Sequence, residues 1–312
     1  MTLVQLEYII AIDTYRSFVV AAEKCFVTQP TLSVQVQKLE DGLGVKLFDR
    51  SKQPVSPTPI GLRIIEQARD ILSETAKLEE IVADFKNELA GELKIGVIPT
   101  VAPYLFPQIT AGFSLKFPKI QLIISEYTTD QIIQSIKLGL LDCGILSTPV
   151  EDKALKEIPI YYEGFVAYLA ESDPLKKKKE IQAADIDTQH LWLLNEGHCM
   201  RNQILNLCRK RKQENDRILE YNTGSIETLK RLVDIKGGIT ILPELSILNF
   251  TQQQLERIRP FKSPGPVREI SIVVPRSFAK RTVISALQSE ILQAVPEKMQ
   301  SRNSKEVMQI FV

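Results

Sequence analysis

Between residue 1 and about residue 58 the apolar positions form three short sets at helical spacing, separated by polar turns. Leu6 to Thr14 predicts a first helix. Ser17 suits the N-cap of a second, whose buried side carries Phe18, Ala21, Ala22 and Cys25. A tight turn at Phe26–Val27 leads into "TQPTLSVQVQKLEDGLG". Thr28 can cap this third helix, and Pro30 is tolerated because first-turn N–H groups lack helical partners anyway. Leu32, Val36, Leu39 and Leu43 make one apolar face, while the opposite face presents Pro30, Ser33, Val34, Gln37 and, to one side, Lys38. "VKLFDRSKQPVSPTPIG" then reads as strand–turn–strand with Arg50 and Lys52 near its tip. A short helix, a tight turn and a helix with a small polar outer face suit the DNA major groove. A helical bundle without a ligand fits the pattern equally well.

From Pro59 to about Leu89 the pattern becomes one long helix. Ile64, Ala68, Ile71, Thr75, Leu78, Val82, Phe85 and Leu89 alternate four and three residues apart, with charges filling the remaining positions. So narrow a seam predicts pairing with a like helix, and hence a dimer, against the alternative of a helix lying on its own domain. After Gly91 strands and helices alternate: "LKIGVIP", "IQLIISE", "TDQIIQSIKLG", "LDCGIL", "EGFVAYLA", "HLWLLN", "SIETLKRLVDIKGG", "ITILP" and "EISIVVP". This grammar predicts an α/β region with largely parallel sheets.

Composition narrows the partners little. The chain has 312 residues, 44% of them hydrophobic and 25% charged, with a net charge of +1. The residues before 59 hold as many acids as bases, so any affinity for nucleic acid rests on pattern rather than bulk charge. No apolar run approaches a membrane span and the N-terminus lacks a signal-peptide layout, so no membrane partner and a cytoplasmic address are expected. There a standing disulfide is disfavoured. No phosphate loop or nucleophile elbow is visible; no enzyme activity, cofactor or metal is expected, and two histidines, His190 and His198, argue against zinc.

Two of the four cysteines, however, stand nine positions apart in "GHCMRNQILNLC", Gly197 to Cys208. They could be packing residues, metal ligands, a fixed disulfide or one formed on demand. Spacing alone favours packing, the reading that also suits Cys25 and Cys143.

The run "AAE…TQPTLS…KLE..LGVKLFDR", the long helix and the two-part α/β region resemble LysR-type transcriptional regulators over nearly the whole length. "IGVIPTVAPYLFP", "EGHCMRNQILNLC", "SIETLKRLV" and "GGITILPEL" resemble the hydrogen-peroxide-sensing members of that family. The resemblance implies a winged helix-turn-helix at 1–58, a dimerising linker helix at 59–90 and a redox-sensing regulatory domain at 91–312. The last would consist of two Rossmann-like subdomains resembling periplasmic binding proteins, one about 91–163 and 268–300, the other about 164–267. It implies a homotetramer built as a dimer of dimers, double-stranded promoter DNA and RNA polymerase as partners, hydrogen peroxide as signal, and a glutaredoxin- or thioredoxin-like reductant. Base contacts would fall to Gln29, Pro30, Thr31, Ser33, Val34 and Gln37, with Lys38 and Arg50 on phosphates.

For the cysteines the resemblance implies a redox pair, Cys199 sensing and Cys208 resolving. A helix opening at Cys199 and running to about Arg211 would set Met200, Ile204, Leu207 and Cys208 on an apolar stripe and Cys199 with Gln203 and Asn206 on the polar side. Nine helical residues separate two α-carbons by ~13–14 Å along the axis and ~180° around it, and a disulfide requires them within ~7 Å. An intact helix and a Cys199–Cys208 bond therefore exclude each other. A sensor thiol is expected to have a lowered pKa and solvent access, with the helix N-terminus, Arg201 and His198 as sources of positive charge. By resemblance, Thr100 and Thr129 offer hydroxyls to the peroxide and Arg268 a further charge; ordinary capping is the plainer reading of the threonines. One departure is Asn202, where similar sequences commonly carry an acid. Two other readings remain: a regulator binding a small effector between its subdomains, and a thiol peroxidase.

Overall fold

The computed structural model describes residues 1–85, 89–208, 221–301 and 306–307. The first part folds as α1 (Leu3–Tyr15), α2 (Phe18–Lys24), α3 (Gln29–Leu43) and a two-stranded wing of β1 (Phe48–Asp49) and β2 (Ser56–Pro57). α1 is longer than its apolar spacing predicts because Thr2 and Gln5 form a capping box. Ser17 and Thr28 cap α2 and α3, accepting from the N–H groups of Val20 and Thr31. Leu32, Val36 and Leu39 pack against Ile9, Ile12, Ala21 and Ala22. Leu43, expected on that face, is exposed: Gly44 takes a left-handed φ of 70°, ends α3, and sends the chain back so that Leu47 completes the core instead.

α4 (Pro59–Phe85) does not use its seam as one surface. Ile64, Ala68 and Ile71 pack on the N-terminal core. Leu78 and Val82, further along, are 63% and 51% exposed. Leu89, expected to close the seam, lies outside the helix and packs on the next core, and the side chain of Phe85 is outside the described residues.

The remainder runs β3 (Gly91–Val97), α5 (Ala102–Lys116), β4 (Ile120–Glu126), α6 (Thr129–Lys137), β5 (Cys143–Thr148), β6 (Leu155–Leu169), β7 (Leu191–Trp192), α7 (Cys199–Leu207), α8 (Ile226–Lys236), β8 (Ile239–Pro243), α9 (Gln252–Leu255), β9 (Ile258–Pro260), β10 (Pro266–Pro275), α10 (Arg281–Ala294) and β11 (Glu306–Val307). The strands lie in the order β4-β3-β5-β10-β6-β8-β7, with β11 on β10 and β9 on β6. Contrary to the expectation of largely parallel sheets, among the described strands only the β3–β4, β3–β5, β7–β8 and β10–β11 pairs are parallel. The reason is β6. This strand pairs antiparallel with β10 from Leu155 to Gly164, then with β8 from Phe165 to Leu169, threading both lobes. Each lobe has its own apolar core, one around β3, β5 and α5, the other around β8, α7 and α8.

The N-terminal part sits on the first lobe. Thr14 Oγ1 and Arg69 Nη1 both donate to the Leu138 carbonyl, at 3.1 and 2.8 Å, and Arg69 also pairs with Asp13 at 2.9 Å.

Candidate functional site

α7 lies between the two lobes and shows each a different face. Met200 and Ile204 are buried in the core of the second lobe, while Cys199 belongs to the core of the first. Gln203, on the face expected to be polar, is fully buried, its amide donating to Ser147 Oγ on β5 at 3.2 Å; Asn206 alone of that trio is exposed. The start of the side of α7 that reads as polar thus faces the other lobe rather than water. Cys199 opens the helix and Cys208 ends it as C-cap, its N–H donating to the Ile204 carbonyl at 3.0 Å. Neither is in a disulfide. Whether the helix runs on to Arg211 concerns residues outside those described.

Four groups around the Cys199 sulfur favour its thiolate: the Arg268 charge, the Thr129 hydroxyl, and the backbone N–H groups of Met200 and Cys199 itself. Burial opposes them and is the larger influence, so the thiol is pushed above its ordinary value rather than below it. This corrects the expectation of a lowered pKa, and the 7% exposure of Cys199 corrects that of solvent access. Thr129 Oγ1 is buried and has no hydrogen-bond partner among the described residues.

Arg268 is the largest fully buried side chain among the described residues. Its Nη1 donates to Thr100 Oγ1 at 2.8 Å and its Nη2 to the Thr100 carbonyl at 3.2 Å. Its other edge meets Glu163, Nε at 2.9 Å and Nη2 at 2.7 Å. The structure therefore brings Cys199, Thr129, Thr100 and Arg268 together. It does not bring Arg201, whose Nη1 donates instead to the Leu194 carbonyl at 2.9 Å. His198 is next to the sulfur in sequence, but burial pushes its pKa below the usual 6.5, so the ring is neutral at pH 7 and supplies no charge. It lines a cavity of about 360 Å³ between the lobes with Tyr104, Glu126, Tyr127 and Glu227. No group of metal-ligating side chains occurs among the described residues.

The second candidate surface is the outer face of α3. Gln29, Pro30, Thr31, Val34, Gln37 and Lys38 are exposed and Ser33 half-buried. Arg50, on the wing, is exposed, donates to Ser33 Oγ at 3.2 Å and stacks over the Phe18 ring at 4.7 Å. Missed from the sequence was Glu40, 1% exposed on the inner face of α3, which accepts the Leu47 N–H at 2.8 Å and pairs with Lys46 at 3.1 Å and Arg50 at 3.5 Å. That carboxylate fixes the wing to the helix.

Residues 3–62 match the bacterial regulatory helix-turn-helix protein, lysR family, and residues 86–296 match the LysR substrate binding domain. Over 296 residues the chain is 36% identical to the hydrogen peroxide-inducible genes activator of Haemophilus influenzae, covering 93% of this chain and 97% of that protein. The DNA-binding transcriptional dual regulator OxyR of Escherichia coli K12 is 32% identical over 309 residues, 99% of each chain. A full-length OxyR variant from Pseudomonas aeruginosa superposes with a TM-score of 0.78 at 33% identity, covering 95% of this chain and 99% of that one. An OxyR variant from Corynebacterium glutamicum, solved with hydrogen peroxide bound, gives 0.60 at 27% identity, covering 94% and 92%.

Proposed function

The chain belongs to the LysR family of transcription regulators, and from that premise we propose that it is a hydrogen-peroxide-sensing, DNA-binding regulator of OxyR type, switched by a reversible Cys199–Cys208 disulfide. One observation carries this reading. The first sulfur sits on a helix N-terminus beside a buried arginine and a threonine hydroxyl, and the second caps the far end of that same helix.

The chemistry is a two-step displacement. The Cys199 sulfur attacks one peroxide oxygen and the O–O bond breaks. The other oxygen leaves with the thiol proton as water, giving a sulfenic acid. Arg268 and the donors at the start of α7 stabilise negative charge on sulfur, and the Thr100 and Thr129 hydroxyls hold the peroxide. Cys208 then displaces the sulfenic oxygen as a second water while the S–S bond forms. Because the helix keeps the sulfurs apart, this second step requires α7 to unwind, and the interface between the lobes is remade.

Exposed residues of α3 then read base edges, with Lys38 and Arg50 on phosphates. Promoter DNA, RNA polymerase, a glutaredoxin- or thioredoxin-like reductant, a dimer of dimers and a cytoplasmic site complete the proposal; no described helix is long and apolar enough to cross a membrane. Peptide mapping by mass spectrometry after near-stoichiometric peroxide tests it, with a promoter footprint on the same sample. A Cys199–Cys208 bridge and an altered footprint are expected. No bridge, or a footprint that still responds in Cys199→Ser, overturns the reading. The cavity between the lobes favours a second reading, a small effector bound there; it prevails if peroxide leaves the footprint unchanged and a small molecule alters it.

A further inference from the structure

Glu163 is a buried carboxylate that the two-step chemistry above does not use. It sits on β6 one residue before Gly164, where that strand exchanges β10 for β8, and is 0% exposed. Its Oε2 takes the Nε and Nη2 edge of Arg268, and its Oε1 accepts the N–H of Leu245, beyond β8, at 2.7 Å. Arg268 has one edge left, and Thr100 fills it through both hydroxyl and carbonyl oxygens. Since the Thr100 hydroxyl oxygen accepts from Arg268, its own proton remains to be donated elsewhere.

We propose that Glu163 is the positioning residue of the Cys199 site, locking the plane of the Arg268 guanidinium so that Thr100 is presented as a donor to peroxide, and offsetting part of the arginine charge that the sulfur would otherwise feel. This deepens the peroxide-sensing reading and rests on it. The charge side follows from Coulomb's law in a buried site. The other titratable groups facing the pair are Tyr161 and Cys199 around Arg268, Glu244 facing Glu163, and Tyr104, itself bonded to Glu227. The geometric side follows from reach. A planar, bidentate guanidinium is fixed by a carboxylate of the right length and by no shorter one.

Two variants of the full-length protein separate the roles. In Glu163→Gln the offsetting charge is gone, so the pH profile of Cys199 alkylation by iodoacetamide should move about one unit lower, tenfold in thiolate at a fixed pH below the pKa. Its reaction with hydrogen peroxide should nevertheless slow about tenfold, because the guanidinium and Thr100 are no longer held. In Glu163→Asp the charge remains but the reach does not: the alkylation profile should match wild type while the peroxide reaction slows. A merely structural role would move both rates the same way. Should Glu163→Gln fail to fold, the aspartate variant decides alone. Wild-type rates toward peroxide in it, or an alkylation profile displaced with the peroxide rate, overturn the inference. A wild-type Cys199 inert to peroxide sinks the sensing reading itself, which is a distinguishable result.

Discussion

At the residue scale the sulfur is tuned from far along the chain. The positive groups adjacent to Cys199 in sequence do not serve it: Arg201 is spent on the Leu194 carbonyl and His198 is neutral. The charge that reaches the sulfur comes from residue 268 across the sheet. Burial of both side chains also makes stability depend on pH from two sides. His198 is pushed below its ordinary 6.5, so the unfolded chain takes up the proton first as pH falls. Its contribution is complete above about 6.5 and is lost as pH drops through the folded value. Cys199 is pushed above 9.0, so the folded chain holds its proton longer. Its contribution is complete below 9.0 and is lost as pH rises through the folded value. Melting temperatures of the reduced protein across pH should fall at both ends; His198→Gln should lessen the fall just below pH 6.5 and Cys199→Ser part of the alkaline one, the buried Cys143 and Tyr161 sustaining more of it. Alkylation of Cys199 should keep accelerating beyond pH 9.0; a plateau below pH 8 would contradict the burial ascribed to it.

At the element scale the proposed switch is α7, held by Met200 and Ile204 on one lobe and by the Gln203–Ser147 bond on the other. Its exposed Asn206 offers a handle that touches neither sulfur nor core. Asn206→Ala raises helix propensity by about 0.5 kcal/mol, so disulfide closure should slow about twofold while sulfenic acid formation, trapped with dimedone, stays unchanged. Asn206→Gly should do the opposite. Equal effects on both steps would mean that unwinding does not separate them. What the sequence discloses about such elements depends on how local their causes are. The caps Ser17 and Thr28 act within three residues and are legible, as is the apolar stripe of α7. The first half of β6, "LKEIPIYY", is not: Lys156, Glu157 and Pro159 break any strand pattern, and partners on β10 more than a hundred residues away decide it. Glu40 and Glu163 are hidden for the same reason. A carboxylate is buried only when its cations and N–H donors arrive from elsewhere, and nothing beside it in sequence announces them. The polar face of α7 is legible as polar, but not that a second lobe covers Cys199 and Gln203 on it.

At the scale of the whole molecule the open question is how a sulfur between two lobes could move a helix in DNA, and α6 supplies a physical connection. Its first residue, Thr129, brings its hydroxyl to the Cys199 site, where it favours the thiolate. The residue that caps its other end, Leu138, offers the carbonyl that receives Thr14 of α1 and Arg69 of α4. Nine residues of helix span about 14 Å, so α6 joins the sulfur end to the seat of the DNA-binding part without an intervening loop. Beyond that seat α4 exposes Leu78, Ile81 and Val82, a surface suited to a second copy of the helix. Leu78→Glu should therefore lower the assembly state in analytical ultracentrifugation and weaken promoter binding in either redox state. Arg69→Met tests the connection itself. It removes the bond to Leu138 and to Asp13 while leaving α4's apolar surface and the sulfur site intact. If α6 transmits the signal, Cys199 should oxidise at the wild-type rate, the assembly should be unchanged, and the ratio of promoter affinities between oxidised and reduced protein should shrink about fivefold or more, a coupling of about 1 kcal/mol. If the ratio stays at its wild-type value, the seat is only a resting contact, and the signal must travel through the pairing of regulatory domains instead.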